Sequence, residues 1–231
     1  MRTILLDIEG TTTPITFVHD TLFPYAKLHI AKFVETHFDA LKFEIEQLVD
    51  ESAHDTTYTV PVDPLEPGSV SAYLEHLIDV DQKSTPLKSI QGKIWEAGYE
   101  SGHLISVVFD DVVKAFERWH SERNRIAIYS SGSVLAQQLL FRHTNHGDLT
   151  KFISNYFDTN IGAKRESESY IKIAEELCVE PRHVTFCSDV PAELDAARAA
   201  GLKTVLVIRP GNAAVDEHAG ERVVTSFDDL V

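Results

Sequence analysis

The chain has 231 residues, enough for one large domain or a core domain carrying an insertion. Its composition, 43% hydrophobic and 25% charged, is that of an ordinary globular protein. A formal net charge of −15 argues against a nucleic-acid binder or a binder of anionic membranes, but not against a phosphorylated substrate, because cations inside a cleft invert the local potential.

The first predicted element is a strand, Thr3 to Leu6, whose continuous apolar run suits a parallel sheet buried on both faces. It ends in Asp7, Glu9, Gly10 and Thr11, followed by a turn-like Thr12-Thr13-Pro14-Ile15. A helix is expected from Asp20 to Phe38, capped by Asp20 or Thr21, with Pro24 in its first turn. A second carries Leu41, Ile45, Leu48 and Val49. Thr56 to Ser69, with Pro61, Pro64 and Pro67, reads as a loop. Val70 to Ile78 forms a third helix, and Ser84-Thr85-Pro86 introduces a fourth holding Leu87, Ile90, Ile94 and Trp95. Nothing between Phe17 and Gly102 reads as a strand.

A regular alternation then begins. A helix capped by Asp110 precedes a strand at Arg125 to Ser130 and a helix at Ser133 to Phe141. A short strand at Tyr156 to Asp158 is followed by a helix from Glu166 to Leu177. Val184 to Ser188 is a strand, Pro191 to Ala200 a helix stopped at Gly201, and Thr204 to Ile208 a further strand. Val223-Val224 is a candidate edge strand. The expected fold is α/β, a doubly wound parallel sheet, Rossmann-like, with an inserted helical cap domain. The boundaries are 1–15 and 106–231 for the core and 16–105 for the cap.

Cys178 and Cys187 form no CxxC pair and read as buried free thiols, which points to a reducing, cytoplasmic compartment, with a nucleus also open if the source is eukaryotic. No signal peptide precedes Asp7, and no apolar run approaches the ~20 residues of a membrane span.

Three strand ends carry the polar chemistry. Ligands of open α/β sheets bind beyond the carboxyl ends of the strands. Asp7 and Glu9 end the first strand, and a carboxylate closing a buried strand is costly unless paired or bound to metal. Ser130, Ser131 and Gly132 stand before a helix, where hydroxyls and free N–H groups make an anion site; an N-cap serine with a turn glycine reads equally well. Asp189 ends a third strand, with Glu193 a turn later. Asp7, Glu9 and Asp189 at one edge would repel one another without a cation, and hard oxygen ligands suit Mg²⁺. Lys164, an ordinary turn lysine in isolation, becomes a charge clamp beside such a cluster.

Five stretches carry a resemblance: Asp7 to Ile15 (DIEGTTTPI), Lys83 to Tyr99 (KSTPLKSIQGKIWEAGY), Tyr129 to Ser133 (YSSGS), Phe157 to Tyr170 (FDTNIGAKRESESY) and Arg209 to Asn212 (RPGN). Their order resembles the haloacid-dehalogenase-like superfamily and, within it, the acireductone-forming enolase-phosphatases of methionine salvage. The resemblance spans nearly the whole chain, and Glu9 stands where most of the superfamily has Asp. It implies Asp7 as nucleophile through an aspartyl-phosphate and Glu9 as general acid/base. It further implies Ser130, Ser131 and Lys164 as phosphate-binding residues. One Mg²⁺ per subunit would be held by Asp7, the Glu9 carbonyl and Asp189, with Glu193 as an outer ligand.

The implied substrate is a small phosphorylated diketone, 2,3-diketo-5-methylthiopentyl 1-phosphate, enolised and then dephosphorylated to 1,2-dihydroxy-3-keto-5-methylthiopentene by a monomer that binds neither nucleic acid nor membrane. Lys83, Gln91 and Trp95 are candidate cap contacts, Trp95 equally a core anchor. The alternatives are a capped phosphatase for another small phosphoester, a metal-independent dehalogenase that leaves Asp189 without purpose, or a non-catalytic binding protein on the same fold.

Overall fold

The structure, a computed structural model, describes residues 2–215 and 222–230. The chain divides into two compact units, Met1–Val18 with Ile105–Val231, and His19–Leu104. In chain order the strands are β1 (Thr3–Leu6), β2 (Arg125–Tyr129), β3 (Ile153–Phe157), β4 (Val184–Ser188), β5 (Lys203–Val207) and β6 (Arg222–Val224). The helices are α1 (Ile15–Phe17), α2 (Phe23–His37), α3 (Lys42–Ser52), α4 (Pro67–Asp79), α5 (Thr85–Glu100), α6 (Asp110–Ser121), α7 (Val134–Arg142), α8 (Ser167–Glu176) and α9 (Pro191–Ala199).

All the strands lie in one sheet of order β3-β2-β1-β4-β5-β6, and every neighbouring pair is parallel. Successive side chains of β1 point to opposite faces. Ile4 and Leu6, with Ile8, pack with Val112, Phe116 and Trp119 of α6, while Leu5 packs with Tyr170 and Ile173 of α8 and Leu194 of α9. A strand clad on both faces is why the alternation is hidden in an unbroken apolar run. The central β1 has β2 on one side and β4 on the other. Strand order therefore reverses at β1, and crossovers leaving in opposite directions open a crevice at the carboxyl ends of these strands.

The second unit holds α2 to α5 around its own core of Ile30, Val34, Ile45, Leu48, Tyr73, Leu77, Ile90 and Ile94. Ser84 caps α5 by accepting from Leu87 N at 3.2 Å. Among the described residues no helix is long and apolar enough to cross a membrane.

Several local expectations need correction. Neither Asp20 nor Thr21 caps a helix, because the chain is already helical from Ile15 and passes through a π-helical turn at Val18–Leu22 before α2. The proline-rich loop ends at Glu66, whose side chain accepts from Ser69 N while Pro67 fills the first helical position of α4. Asp110 lies inside the first turn of α6, where it faces His146 at 3.0 Å; the capping position belongs to Phe109, which makes no side-chain cap bond. Cys187 is buried, but Cys178 is exposed, beyond α8 with a φ of 55°.

Candidate active site

Asp7 continues β1 past its last paired residue, its N–H donating to Cys187 O at 3.0 Å. That bond extends the sheet pairing by one residue and leaves the Asp7 side chain buried at the carboxyl end of β1. Asp7 Oδ1 accepts from Ile8 N at 2.8 Å, and Asp7 Oδ2 lies 3.2 Å from Ser188 Oγ. Lys164 Nζ sits 2.6 Å from Asp7 Oδ1 and 2.7 Å from Glu193 Oε2. Ser188 Oγ is also 3.2 Å from Glu193 Oε2, so its single proton serves one carboxylate at a time.

The electrostatics follow from this arrangement. Burial opposes the Lys164 charge, but Asp7 and Glu193 outweigh it and hold the ammonium well above its ordinary pKa. Burial and then the Asp7 charge push Glu193 upward, and the same causes raise Asp189 to about 7. Asp7 and Glu193 thus share one ammonium in a poorly solvated pocket, with the Asp189 charge nearby.

Lys164 owes its position to a loop gripped through three successive carbonyls. Tyr129 Oη donates to Gly162 O at 2.9 Å, Ser169 Oγ to Ala163 O at 2.8 Å and Tyr170 Oη to Lys164 O at 2.7 Å. The two tyrosines pack edge to face at 5.5 Å in the core beneath. A sequence-level turn lysine is therefore a buried, tethered cation.

Glu9 is partly buried on the turn that follows Asp7. In this turn the N–H groups of Thr11, Thr12 and Thr13 converge on Ile8 O at 3.2, 2.9 and 3.0 Å. Gly10 has φ +67°, and a Cβ there would collide with Asp189 Oδ2, so glycine is required by conformation and by space. This close approach sets Asp189 directly against the turn. Ser130, at the end of β2, is buried and accepts from Gly132 N at 3.1 Å, whereas Ser131 is partly buried. The N-cap of α7 is Ser133, which accepts from Ala136 N at 3.3 Å.

Asp7, Lys164 and Glu193 are thus in direct contact, with Asp189 beside them. Among the described residues no three His, Cys, Asp or Glu side chains converge enough to hold a metal ion alone, so Asp7, Glu9 and Asp189 do not form such a cluster. The donors are nevertheless all hard oxygens, and the carboxylate excess beside Asp189 is what a cation relieves. A partial shell completed by a backbone carbonyl and water fits Mg²⁺.

In the second unit, Trp95 is an internal anchor whose indole N–H donates to Leu22 O at 2.9 Å. Gln91 is buried and Lys83 exposed.

Several residues that build this site carry no functional signal in the sequence. Gln137 donates to both Gly132 O and Phe157 O at 2.8 Å, tying the ends of β2 and β3 together. Arg209 is buried between Phe109 and Phe227, 4.5 and 4.9 Å from their ring centres. Its Nη2 lies 2.8 Å from Asp111 Oδ2, an ion pair without hydrogen-bond alignment. Either Arg209→Ala or Asp111→Ala is expected to destabilise the protein by about 3–5 kcal/mol, because each leaves a buried charge unpaired. Urea denaturation of both variants checks this; wild-type midpoints would mean that the pair is solvated.

Comparison with known proteins places this geometry. Residues 1–201 match the family model described as haloacid dehalogenase-like hydrolase. The chain is 49% identical to Enolase-phosphatase E1 of Drosophila grimshawi over 97% of this chain and 94% of that protein. It is 43% identical to a probable bifunctional methylthioribulose-1-phosphate dehydratase/enolase-phosphatase E1 of Populus trichocarpa, over 99% of this chain and 47% of the plant protein. The crystal structure of the UTR4 protein of Saccharomyces cerevisiae superposes with a TM-score of 0.82 at 35% identity, covering 99% of both chains. A carboxylate and a lysine meeting at the mouth of a parallel sheet suit phosphoryl transfer, and with identities of this size over nearly its full length the chain belongs to the enolase-phosphatase E1 family of haloacid dehalogenase-like hydrolases and is a phosphatase.

Proposed function

We propose that the enzyme converts 2,3-diketo-5-methylthiopentyl 1-phosphate to its enol phosphate and then to 1,2-dihydroxy-3-keto-5-methylthiopentene and phosphate, in methionine salvage. The observation that carries this reading is the Lys164 ammonium at 2.6 Å from the Asp7 carboxylate at the end of β1. The plant relative's name supports the substrate, since loss of water from methylthioribulose 1-phosphate yields the diketone.

In this reading Asp7 is the nucleophile. A carboxylate oxygen forms a bond to phosphorus, the bond from phosphorus to the substrate's C1 oxygen breaks, and the Glu9 carboxyl proton passes to the departing oxygen. Glu9, now a carboxylate, takes a proton from water. The water oxygen bonds to phosphorus, the bond to Asp7 breaks, and inorganic phosphate leaves. The transferring group spreads negative charge over its oxygens, so most of the catalysis is positioning and cationic stabilisation. Lys164 supplies a fixed positive charge, and Ser130 and Ser131 hold phosphoryl oxygens. Ser188 keeps the Asp7 carboxyl oriented without adding charge.

One Mg²⁺ per subunit, held by Asp7, the Glu9 carbonyl and Asp189, would neutralise phosphate charge and polarise the substrate carbonyl. Residues 16–105 are assigned as the helical cap insertion. The enzyme is assigned as a cytoplasmic monomer acting on a small molecule, in keeping with the family resemblance.

Chelation with EDTA is expected to abolish phosphate release and Mg²⁺ to restore it; full activity in the metal-free protein would remove the metal from this reading. The function itself is tested by turnover of the diketo phosphate against a panel of ordinary phosphoesters. Preference for the diketo phosphate is expected, and equal turnover of simple sugar phosphates would instead mark a general phosphatase.

A further inference from the structure

The turn that carries Glu9 is held from outside as well as from within. Its internal bonds occupy Ile8 O and Thr13 O, leaving the carbonyls of Gly10, Thr11 and Thr12 outside that network. Each of these is gripped from a distance. Asn212 Nδ2 donates to Gly10 O at 2.9 Å, Arg209 Nε to Thr11 O at 3.1 Å, and Phe109 N to Thr12 O at 3.1 Å. Two of the three grips come from the RPGN segment beyond β5, which the catalytic reading leaves without a role. Asp7, by contrast, is fixed by sheet pairing and by Ser188 and Lys164.

Asn212 has a second distinguishing feature. Its Oδ1 is buried and lacks a hydrogen-bond partner, and it lies 3.0 Å from where a Cβ on Gly10 would stand, on the side where Asp189 also approaches. An unpaired buried acceptor works against stability. The donor half of the amide is satisfied on Gly10 O, so the residue holds the turn while contributing little to the fold.

We propose that Asn212 and Arg209 are positioning residues for Glu9: they hold the carbonyls of the two residues that follow it, and thereby aim the general acid/base. The inference rests on the proposed role of Glu9. Arg209 is also part of the core through Asp111, so Asn212 is the residue on which the positioning role can be separated from folding.

The experiment is a double-mutant cycle between Asn212→Ala and Glu9→Gln, read as phosphate release from the diketo phosphate at saturating Mg²⁺. Asn212→Ala alone is expected to lower kcat by about 10-fold, the scale of a small misplacement of a reacting group. KM and the thermal midpoint should stay close to wild type, because the substitution removes an unpaired acceptor together with the donor. In the Glu9→Gln background the same substitution should change kcat by less than about 2-fold, since residues acting through one another are not additive. Asn212→Leu removes the donor, roughly keeps the volume and adds no charge beside Asp189, and should behave like Asn212→Ala.

Equal losses in both backgrounds, wild-type kcat in Asn212→Ala, or full activity in Asn212→Leu would each overturn the proposal. So would a shift of about 10-fold or more in half-saturating Mg²⁺, which would place Asn212 behind the metal ligands. If Glu9→Gln alone keeps wild-type turnover, the role given to Glu9 fails first, and the positioning role falls with it.

Discussion

Asp7→Asn is expected to release no phosphate, yet to convert the diketo phosphate slowly to its enol, seen as a new ultraviolet absorbance. Dephosphorylation needs a phosphoryl acceptor at the end of β1, and an amide is a far poorer nucleophile than a carboxylate. Enolisation needs a base at C1 and an electrophile at the neighbouring carbonyl, and neither is the acceptor. The asparagine fits the same space, since the Asp7 side chain is enclosed by Ile8 N, Ser188 Oγ and Lys164 Nζ. Asp7 is also a proposed metal ligand, so bound Mg²⁺ has to be measured alongside activity. Enol formation with metal bound separates the two half-reactions; metal bound and no enol would assign Asp7 to both. The same assay on Glu9→Gln asks whether Glu9 is the base for enolisation.

Lys164→Ala is expected to lower kcat/KM by about 10²–10³-fold, the loss associated with one preorganised charge stabiliser. The control is Lys164→Met, which keeps the aliphatic length without the charge and should lose as much activity. Wild-type kinetics in either variant would return Lys164 to a structural role. The structure changes one part of the sequence-level expectation. Lys164 is a buried cation between two carboxylates rather than a surface turn residue, so its removal costs stability as well as rate.

That stability cost should depend on pH. Without Lys164 the native Glu193 carboxyl, already raised by burial and by the Asp7 charge, loses the cation that lowers it and binds a proton still more tightly than in the unfolded chain. A group whose native pKa is raised above its unfolded value makes stability rise as pH falls through the native pKa. Urea midpoints of Lys164→Ala should therefore approach wild type as pH is lowered from about 8 towards about 5. A cost that stays constant over this window would mean that no proton replaces the missing charge.

The parts of the fold that depend on near neighbours were legible in the residues. The apolar runs of β1 and β4, the proline and capping serine that open α5, and the glycine that stops α9 each act within a few residues. So do the carboxylates that close β1 and follow β4, and the serines that follow β2. Errors at this level came from backbone continuity. The helical path beginning at Ile15 leaves Asp20 without a free N-terminus to cap, and Asp110 enters its helix by one residue.

What the sequence by itself determined, then, is which side chain stands at the end of each buried strand, because an apolar run stops where a polar residue has to leave the core. Which of those ends become neighbours is a property of the strand order β3-β2-β1-β4-β5-β6, and that order depends on crossovers and packing across the whole chain. Only the tertiary structure brings Lys164 to Asp7 and Glu193, a contact between the loop beyond β3, the end of β1 and the first turn of α9. It alone makes Lys164 buried, since the hydroxyls of Tyr129 and Tyr170 that tether its loop rise from core positions whose apolar spacing conceals a polar task. The same holds for Arg209, which reaches Thr11 O across 198 residues of sequence. A hydrogen bond of that range leaves no local periodicity to read, because its two partners meet only when the sheet has closed between them.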